Sequence, residues 1–286
     1  MRYLIRSEKD LKKISTQSLM IGFFDAPHIG HKKLVKKCEN ELTILTFEFK
    51  KHPNYIYSTN NRIEAIDRAF KPKNIILWDL NSFNIDSKTF ISYIKKYLDP
   101  REIIVGSDFR FGNDLNNVKE LSNSFNVKIV KRNKFLSVST TKIKKLLKNG
   151  KIARANRLMI QPYIYTDAIV KGEQIARKLG CKTANFLVSN ESIIPKYGIY
   201  LSKAFFQNKE YFGLTFIGKP KTIGDLKHTK FETHLLNLNT KSDFYGEKLA
   251  IQLVKKIGNV KKFKSIDSLK KRINNQMKFA KKYFKI

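Results

Sequence analysis

Two histidines bracket a glycine in the segment Gly22-Phe23-Phe24-Asp25-Ala26-Pro27-His28-Ile29-Gly30-His31. The apolar run Leu19 to Phe24 just before it reads as a buried parallel strand. Lys32 to Glu39 after it reads as the start of a helix. A strand–turn–helix of this kind suits phosphate chemistry. The helix end offers unpaired N–H groups and a partial positive charge. Gly30 lets the backbone come close to a ligand. The imidazoles of His28 and His31 can donate hydrogen bonds to phosphate oxygens.

The elements that must hold such a turn are legible around it. Leu42–Phe47, Asn74–Trp78, Glu102–Val105 and Val127–Val130 read as strands. Lys33–Glu39, Arg62–Phe70, Thr89–Tyr97 and Lys142–Lys148 read as helices. That alternation predicts a parallel α/β sheet, in which ligands sit at the carboxyl ends of the strands. After about Met159 the pattern changes. Pro162–Val170, Gly198–Ala204, Tyr211–Ile217, Phe231–Leu238 and Leu249–Lys256 are strand-like with short polar connections. Ser265–Tyr283 reads as a terminal helix. The second half is therefore expected to be a small antiparallel β-barrel closed by that helix. The expected domains are 1–158 and 159–286, with no internal repeat and no low-complexity linker.

Composition narrows the class. A chain of 286 residues with 42% hydrophobic content can bury two cores. No apolar run approaches the ~20 residues of a membrane span, and Met1 to Glu8 has no signal-peptide layout. The only cysteines, Cys38 and Cys181, have no metal-like spacing, which points to a reduced cytoplasm without disulfides or structural zinc. The net charge of +33 favours anionic ligands. Its lysines are spread over both halves rather than gathered in a stripe, which argues against nucleic acid as the partner.

His28-Ile29-Gly30-His31 resembles the HIGH signature of enzymes that transfer a nucleotidyl group from a nucleoside triphosphate. Further segments fit one family. They are Thr46-Phe47-Glu48, Val105 to Gly112, Val138 to Lys144, Gly180 to Asn185, Tyr197 to Tyr200, Glu232 to Leu236 and Phe244 to Gly246. In this order the chain resembles, over nearly its whole length, the prokaryotic bifunctional riboflavin kinase/FMN adenylyltransferases, often called FAD synthetases. The resemblance implies a Rossmann-like nucleotidyltransferase domain followed by a barrel kinase domain. The barrel would transfer the γ-phosphate of ATP to riboflavin. The α/β domain would join FMN to the AMP part of ATP and release pyrophosphate.

The resemblance assigns His28 and His31 to the ATP phosphates, with Gly22, Phe23, Asp25 and Gly30 beside them. Ser139, Thr140, Thr141 and Lys142 match a phosphate-holding Ser-Ser-Thr segment. Lys142 and Lys144 stand where the family tends to carry arginine, and lysine lacks the bidentate fork. Asp108, Phe109 and Arg110 fall on the family's flavin-side loop. For the kinase, Glu232 corresponds to the base, and Thr183 and Asn185 to the residues that hold the Mg²⁺–ATP complex.

There are departures. Asp25-Ala26-Pro27 replaces Asp-Gly-Val, so Pro27 removes a backbone donor from the turn. In the kinase pattern Ala176 replaces a glycine, Cys181-Lys182 replaces Phe-Pro, and Lys221 displaces a proline. They leave two alternatives to the bifunctional reading. One is an FMN adenylyltransferase with a degenerate kinase domain. The other is a basic nucleic-acid-binding protein on a dead nucleotidyltransferase scaffold. An aminoacyl-tRNA synthetase fragment is disfavoured, because the Lys-Met-Ser-Lys-Ser partner motif is absent.

Overall fold

The computed structural model describes residues 1–49, 54–131, 138–170, 183–189, 192–207, 209–219, 228–236, 245–261 and 265–286. Gly180, Cys181, Lys182, Ala176, Lys221 and Phe244 lie outside them. The chain divides into two compact units, Met1–His52 with Tyr57–Thr140 and Pro53–Ile56 with Thr141–Ile286. Among the described residues no helix is long and apolar enough to cross a membrane.

The first unit is built on β1 (Arg2–Ile5), β2 (Ser18–Ile21), α1 (Lys32–Val35), β3 (Leu42–Glu48), α2 (Thr59–Phe70), β4 (Asn74–Asp79) and α3 (Ser87–Tyr93). It continues through β5 (Glu102–Gly106), the short pair β6 (Arg110–Phe111) and β7 (Asn116–Asn117), α4 (Val118–Ser124) and β8 (Val127–Val130). Six strands form one all-parallel sheet in the order β1-β4-β3-β2-β5-β8. The strands are apolar runs because both faces are covered: every residue of β2 is buried. Successive strands run outward from β2 through β3 to β4, and the order then reverses so that β5 lies on β2's other side. β2 is therefore the topological switch point, where open α/β sheets bind ligands.

The expected parallel sheet is present, with three local differences. β2 ends at Ile21 rather than reaching Phe24, which takes a left-handed φ of 50° that extended chain cannot continue through. The helix after the histidines stops at Val35 instead of Glu39. There the Glu39 N–H donates to Glu102 Oε1 (3.0 Å) and the Asn40 N–H to Ser18 Oγ (3.3 Å), which ends the helical ladder. The helix read over Thr89–Tyr97 is α3 followed by a π-helical stretch, Ile94–Leu98. β1 and α4 were not anticipated from sequence.

The second unit begins with α5 (Thr140–Lys148), whose first residue is the last of the first unit, and α6 (Ile152–Leu158). The strands follow: β9 (Ile164–Ala168), β10 (Thr183–Ser189), β11 (Gly198–Phe206), β12 (Lys209–Gly218), β13 (His228–Leu235) and β14 (Lys248–Gly258). They form one antiparallel sheet, β10-β13-β12-β11-β14-β9. Its two edges meet where the Val170 N–H donates to Asn185 O (2.9 Å), an isolated bridge that closes the barrel. Inside lie Phe186, Phe231 and Tyr165, and the hydroxyls of Ser202, Thr215 and Thr233 bond to one another. The terminal helix α7 (Ile266–Phe284) packs Met277, Ala280 and Phe284 on the outer face against Leu201 and Leu214.

Candidate active sites

In the first unit, the chain leaves β2 through a turn in which Phe24 to His28 are buried and Gly22, Phe23 and Ile29 to His31 partly so. Asp25 is 4% and His28 9% exposed. Phe24 folds its ring back over Gly22, where a Cβ would stand 2.7 Å from Phe24 Cζ. Gly22 is thus demanded by the packing of the turn. Gly30 makes room in the same way for His28: an added Cβ would lie 3.0 Å from His28 Cε1. A non-glycine residue at positive φ costs on the order of 1 kcal/mol, so surrounding contacts must hold Phe24 in place.

The two imidazoles stack, with ring centroids 3.7 Å apart and planes 11° from parallel. The His28 backbone N–H donates to His31 Nδ1 (3.2 Å). That contact places the neutral ring's proton on Nε2. Burial first, and the neighbouring His28 second, hold the His31 imidazole down to about 3. His31 is therefore a neutral Nε2–H donor at physiological pH, not a cation.

His31 also lines a cleft of about 430 Å³ at the carboxyl ends of β2 to β5. Its walls are strongly aromatic: Phe23, Phe47, Phe49, Trp78, Phe109 and Phe111. Phe109 stacks on Phe111 at 5.9 Å and Phe47 lies 6.3 Å from Phe109. The exposed side chains of Asp108 and Arg110 stand at the rim. Gly22, Phe23 and His31 of the turn after β2 thus share one cleft with Asp108, Phe109 and Arg110 of the loop after β5. Such a cleft can hold a flat apolar ring against aromatic faces while a phosphate points to the turn. The strand-end aromatics Phe47, Phe49 and Trp78 were not foreseen as site residues, because inside apolar strands they look like core. Ser139 precedes α5, and Thr140, Thr141 and Lys142 form its first turn.

In the second unit the candidate residues come together by register. Asn185 on β10 lies opposite Glu232 on β13, which lies opposite Phe216 on β12. The adjacent row is Thr183, His234 and Leu214. Directly opposed residues point the same way, so Thr183, Asn185 and Glu232 share the outer face. On β13, buried Thr229, Phe231, Thr233 and Leu235 alternate with the less buried Lys230, Glu232 and His234. Lys230 Nζ is 2.9 Å from Glu232 Oε2, with the two side chains 15% and 25% exposed. His234 and Lys230 were not singled out from sequence.

Asn185 is 5% exposed, yet its Oδ1 accepts no hydrogen bond from the described residues. A buried amide oxygen without a donor is costly unless it serves a ligand. With the Thr183 hydroxyl on the same face, it offers the neutral, hard oxygen donors that suit a divalent cation carried by phosphates. Among the described residues no three His, Cys, Asp or Glu side chains gather into a metal-holding group.

The chain matches the family described as FAD synthetase over residues 11–145 and that described as riboflavin kinase over residues 159–284. A bifunctional riboflavin kinase/FMN adenylyltransferase of Buchnera aphidicola subsp. Schizaphis graminum is 35% identical over 314 residues, covering 99% of each chain. A protein of the same description from Mycoplasma pneumoniae is 28% identical, covering 94% of this chain and 97% of its own. The trifunctional protein RibF/MnmA of Mycoplasmoides gallisepticum is 34% identical over 97% of this chain, which spans 42% of that protein's length. In fold, the chain superimposes with a TM-score of 0.81 on a structure described as a macrolide-efflux protein from Streptococcus pneumoniae, at 23% identity and 98% coverage of both.

Proposed function

The chain belongs to the family of bifunctional riboflavin kinase/FMN adenylyltransferases, and from that premise we propose how its residues divide the two reactions. It phosphorylates riboflavin with ATP to give FMN, and it adenylylates FMN to give FAD and pyrophosphate. Both reactions use ATP with a divalent metal, which we take to be Mg²⁺. Residues 1–158 form the adenylyltransferase domain and 159–286 the kinase domain, a division supported by the two family matches. With only two cysteines, Cys38 and Cys181, the chain suits the cytoplasm.

For adenylyl transfer, the observation that carries the assignment is the stacked His28–His31 pair at the switch point, of which His31 lines the aromatic cleft. The flavin ring lies in the cleft against Phe109, with Asp108 and Arg110 at its rim. Its phosphate oxygen attacks the α-phosphorus of ATP, and the bond to the pyrophosphate oxygen breaks. No proton has to leave the nucleophile, so the protein's task is alignment and charge stabilisation. His31 Nε2–H and His28 donate to the phosphate oxygens. The turn from Gly22 to Asp25 supplies further contacts to the triphosphate.

For the kinase, Glu232 accepts the proton of the riboflavin 5′-hydroxyl as its oxygen bonds to the γ-phosphorus and ADP leaves. Asn185 Oδ1 and the Thr183 hydroxyl hold the metal–ATP complex. When bound, Mg²⁺ offsets the negative charge that builds on the transferring phosphate. The register of Asn185 with Glu232 supports these roles. The degenerate-kinase alternative gains nothing from the match over residues 159–284.

One incubation tests the reading. The protein is given ATP, Mg²⁺, unlabelled riboflavin and isotope-labelled FMN, and the flavins are separated and weighed by mass. Labelled FAD together with unlabelled FMN or FAD is expected. Labelled FAD alone would mean a silent kinase, and no new flavin would overturn the enzyme assignment.

A further inference from the structure

Arg62 lies in α2 at 2% exposure, among the largest fully buried side chains described. Nη1 donates to Phe23 O (2.8 Å) and to Thr46 Oγ1 (2.6 Å), and Nη2 donates to Phe47 O (2.7 Å). Thr46 Oγ1 itself donates to Phe23 O (3.0 Å). The guanidinium also sits 4.3 Å from the centre of the Phe23 ring. One side chain thus ties the carboxyl ends of β2 and β3 together where the site opens. A planar fork can do this and a lysine ammonium cannot, because the three acceptors lie in fixed directions.

The bond to Phe23 O fixes the peptide that enters the left-handed Phe24. The Phe24 ring then lies 5.2 Å from His31, edge to face, and 5.5 Å from Phe70. Phe70 closes the same helix α2 and is itself 6.3 Å from His31. The two ends of α2 therefore reach His31 by two routes. Arg62 acts through the backbone of the turn, and Phe70 acts through the rings.

We propose that Arg62 is a positioning residue for adenylyl transfer: by clamping Phe23 O, Thr46 Oγ1 and Phe47 O it holds the strained turn that presents His31 to the triphosphate. The proposal rests on the first unit carrying that reaction. A loosened turn leaves Phe109 and Phe111 in place, the faces against which the flavin lies, so flavin is still bound. It misaligns the donors, and small misplacements of a reacting geometry are costly in rate.

The test is the steady-state conversion of FMN to FAD by Arg62→Met, Arg62→Lys and Thr46→Val, with each variant's thermal unfolding measured beside it. Arg62→Met is expected to lower kcat by about 10–100-fold with KM for FMN within about threefold. Arg62→Lys should recover only part of that loss. Thr46→Val should cost several-fold alone and nothing further in the Arg62→Met background, because both remove the same clamp. Thr46→Val also decides the matter should Arg62→Met fail to fold. A kcat per folded molecule within twofold of the parent in Arg62→Met, or in Thr46→Val if that is the only folded variant, would overturn the proposal and leave Arg62 a stabilising residue. Absence of FAD formation by the unaltered chain would instead overturn the assignment of the reaction.

Discussion

The two units solve one problem, holding a nucleoside triphosphate beside a flavin, with opposite geometries. The parallel sheet can offer only the ends of its strands, because helices cover its faces. The site we propose there is therefore a turn that follows one strand directly, buttressed from behind by α2 and walled by strand-end aromatics. The antiparallel barrel offers a face. The site we propose on it is a row of side chains brought side by side from strands far apart in sequence, Asn185 beside Glu232. A turn site depends on backbone strain and packing. A face site depends on register, where slipping by one residue would turn every member inward.

The largest expected effects separate the units cleanly. Glu232→Gln should lower riboflavin phosphorylation by about 10²–10⁴-fold and leave FAD formation from FMN unchanged. A matching fall in both reactions would break the comparison. Removing an oriented donor by His31→Ala should lower FAD formation by about 10²–10³-fold while riboflavin phosphorylation persists. Unchanged turnover would remove the histidine from the site.

Asn185→Leu sharpens the contrast. It should raise the Mg²⁺ concentration needed for half-maximal kinase rate by roughly 10-fold or more, the loss of one bond to a charged partner. The melting temperature without nucleotide should hold or rise, because an orphaned buried amide is removed. A marked loss of stability would mean that the amide serves the fold.

The smallest effect is on stability against pH. His31 titrates near 6.5 when unfolded and about 3 when folded, so below 6.5 the unfolded chain binds a proton that the folded one refuses. Stability must then fall as pH drops from about 6.5 towards 3, by at most ~1.4 kcal/mol per unit for this one group. Urea titrations of the parent and His31→Asn should differ in slope across that window, and parallel curves would contradict the burial of His31.

The same contrast explains what the sequence made legible. Gly22 to His31 is contiguous, and an apolar run followed by His-Ile-Gly-His is readable without any fold in mind. Thr183 and Glu232 are 49 positions apart by their numbering, and only a family pattern singles them out before register is known. Arg62 was hidden because an arginine in an amphipathic helix reads as a solvent-facing residue, and only tertiary packing reveals its bonds to Phe23 O, Thr46 Oγ1 and Phe47 O. Aromatic residues inside strands, such as Phe47 and Trp78, carry the pattern of core whether or not a cleft opens beside them. β10 escaped notice because its inward set of Ala184, Phe186 and Val188 is short and interrupted by polar residues.

The closure of the barrel has a further consequence. Among the described residues its two edges are joined through a single backbone bond, from Val170 to the carbonyl of Asn185, the residue whose amide oxygen we propose as a metal–ATP contact. A seam of one bond opens far more often than the full ladders beside it, so the Val170 amide should trade its proton for deuterium well before the amides of β12 or β13 do. Whatever fastens Asn185 must slow that exchange, which makes one peptide hydrogen a clock for occupancy of the kinase unit.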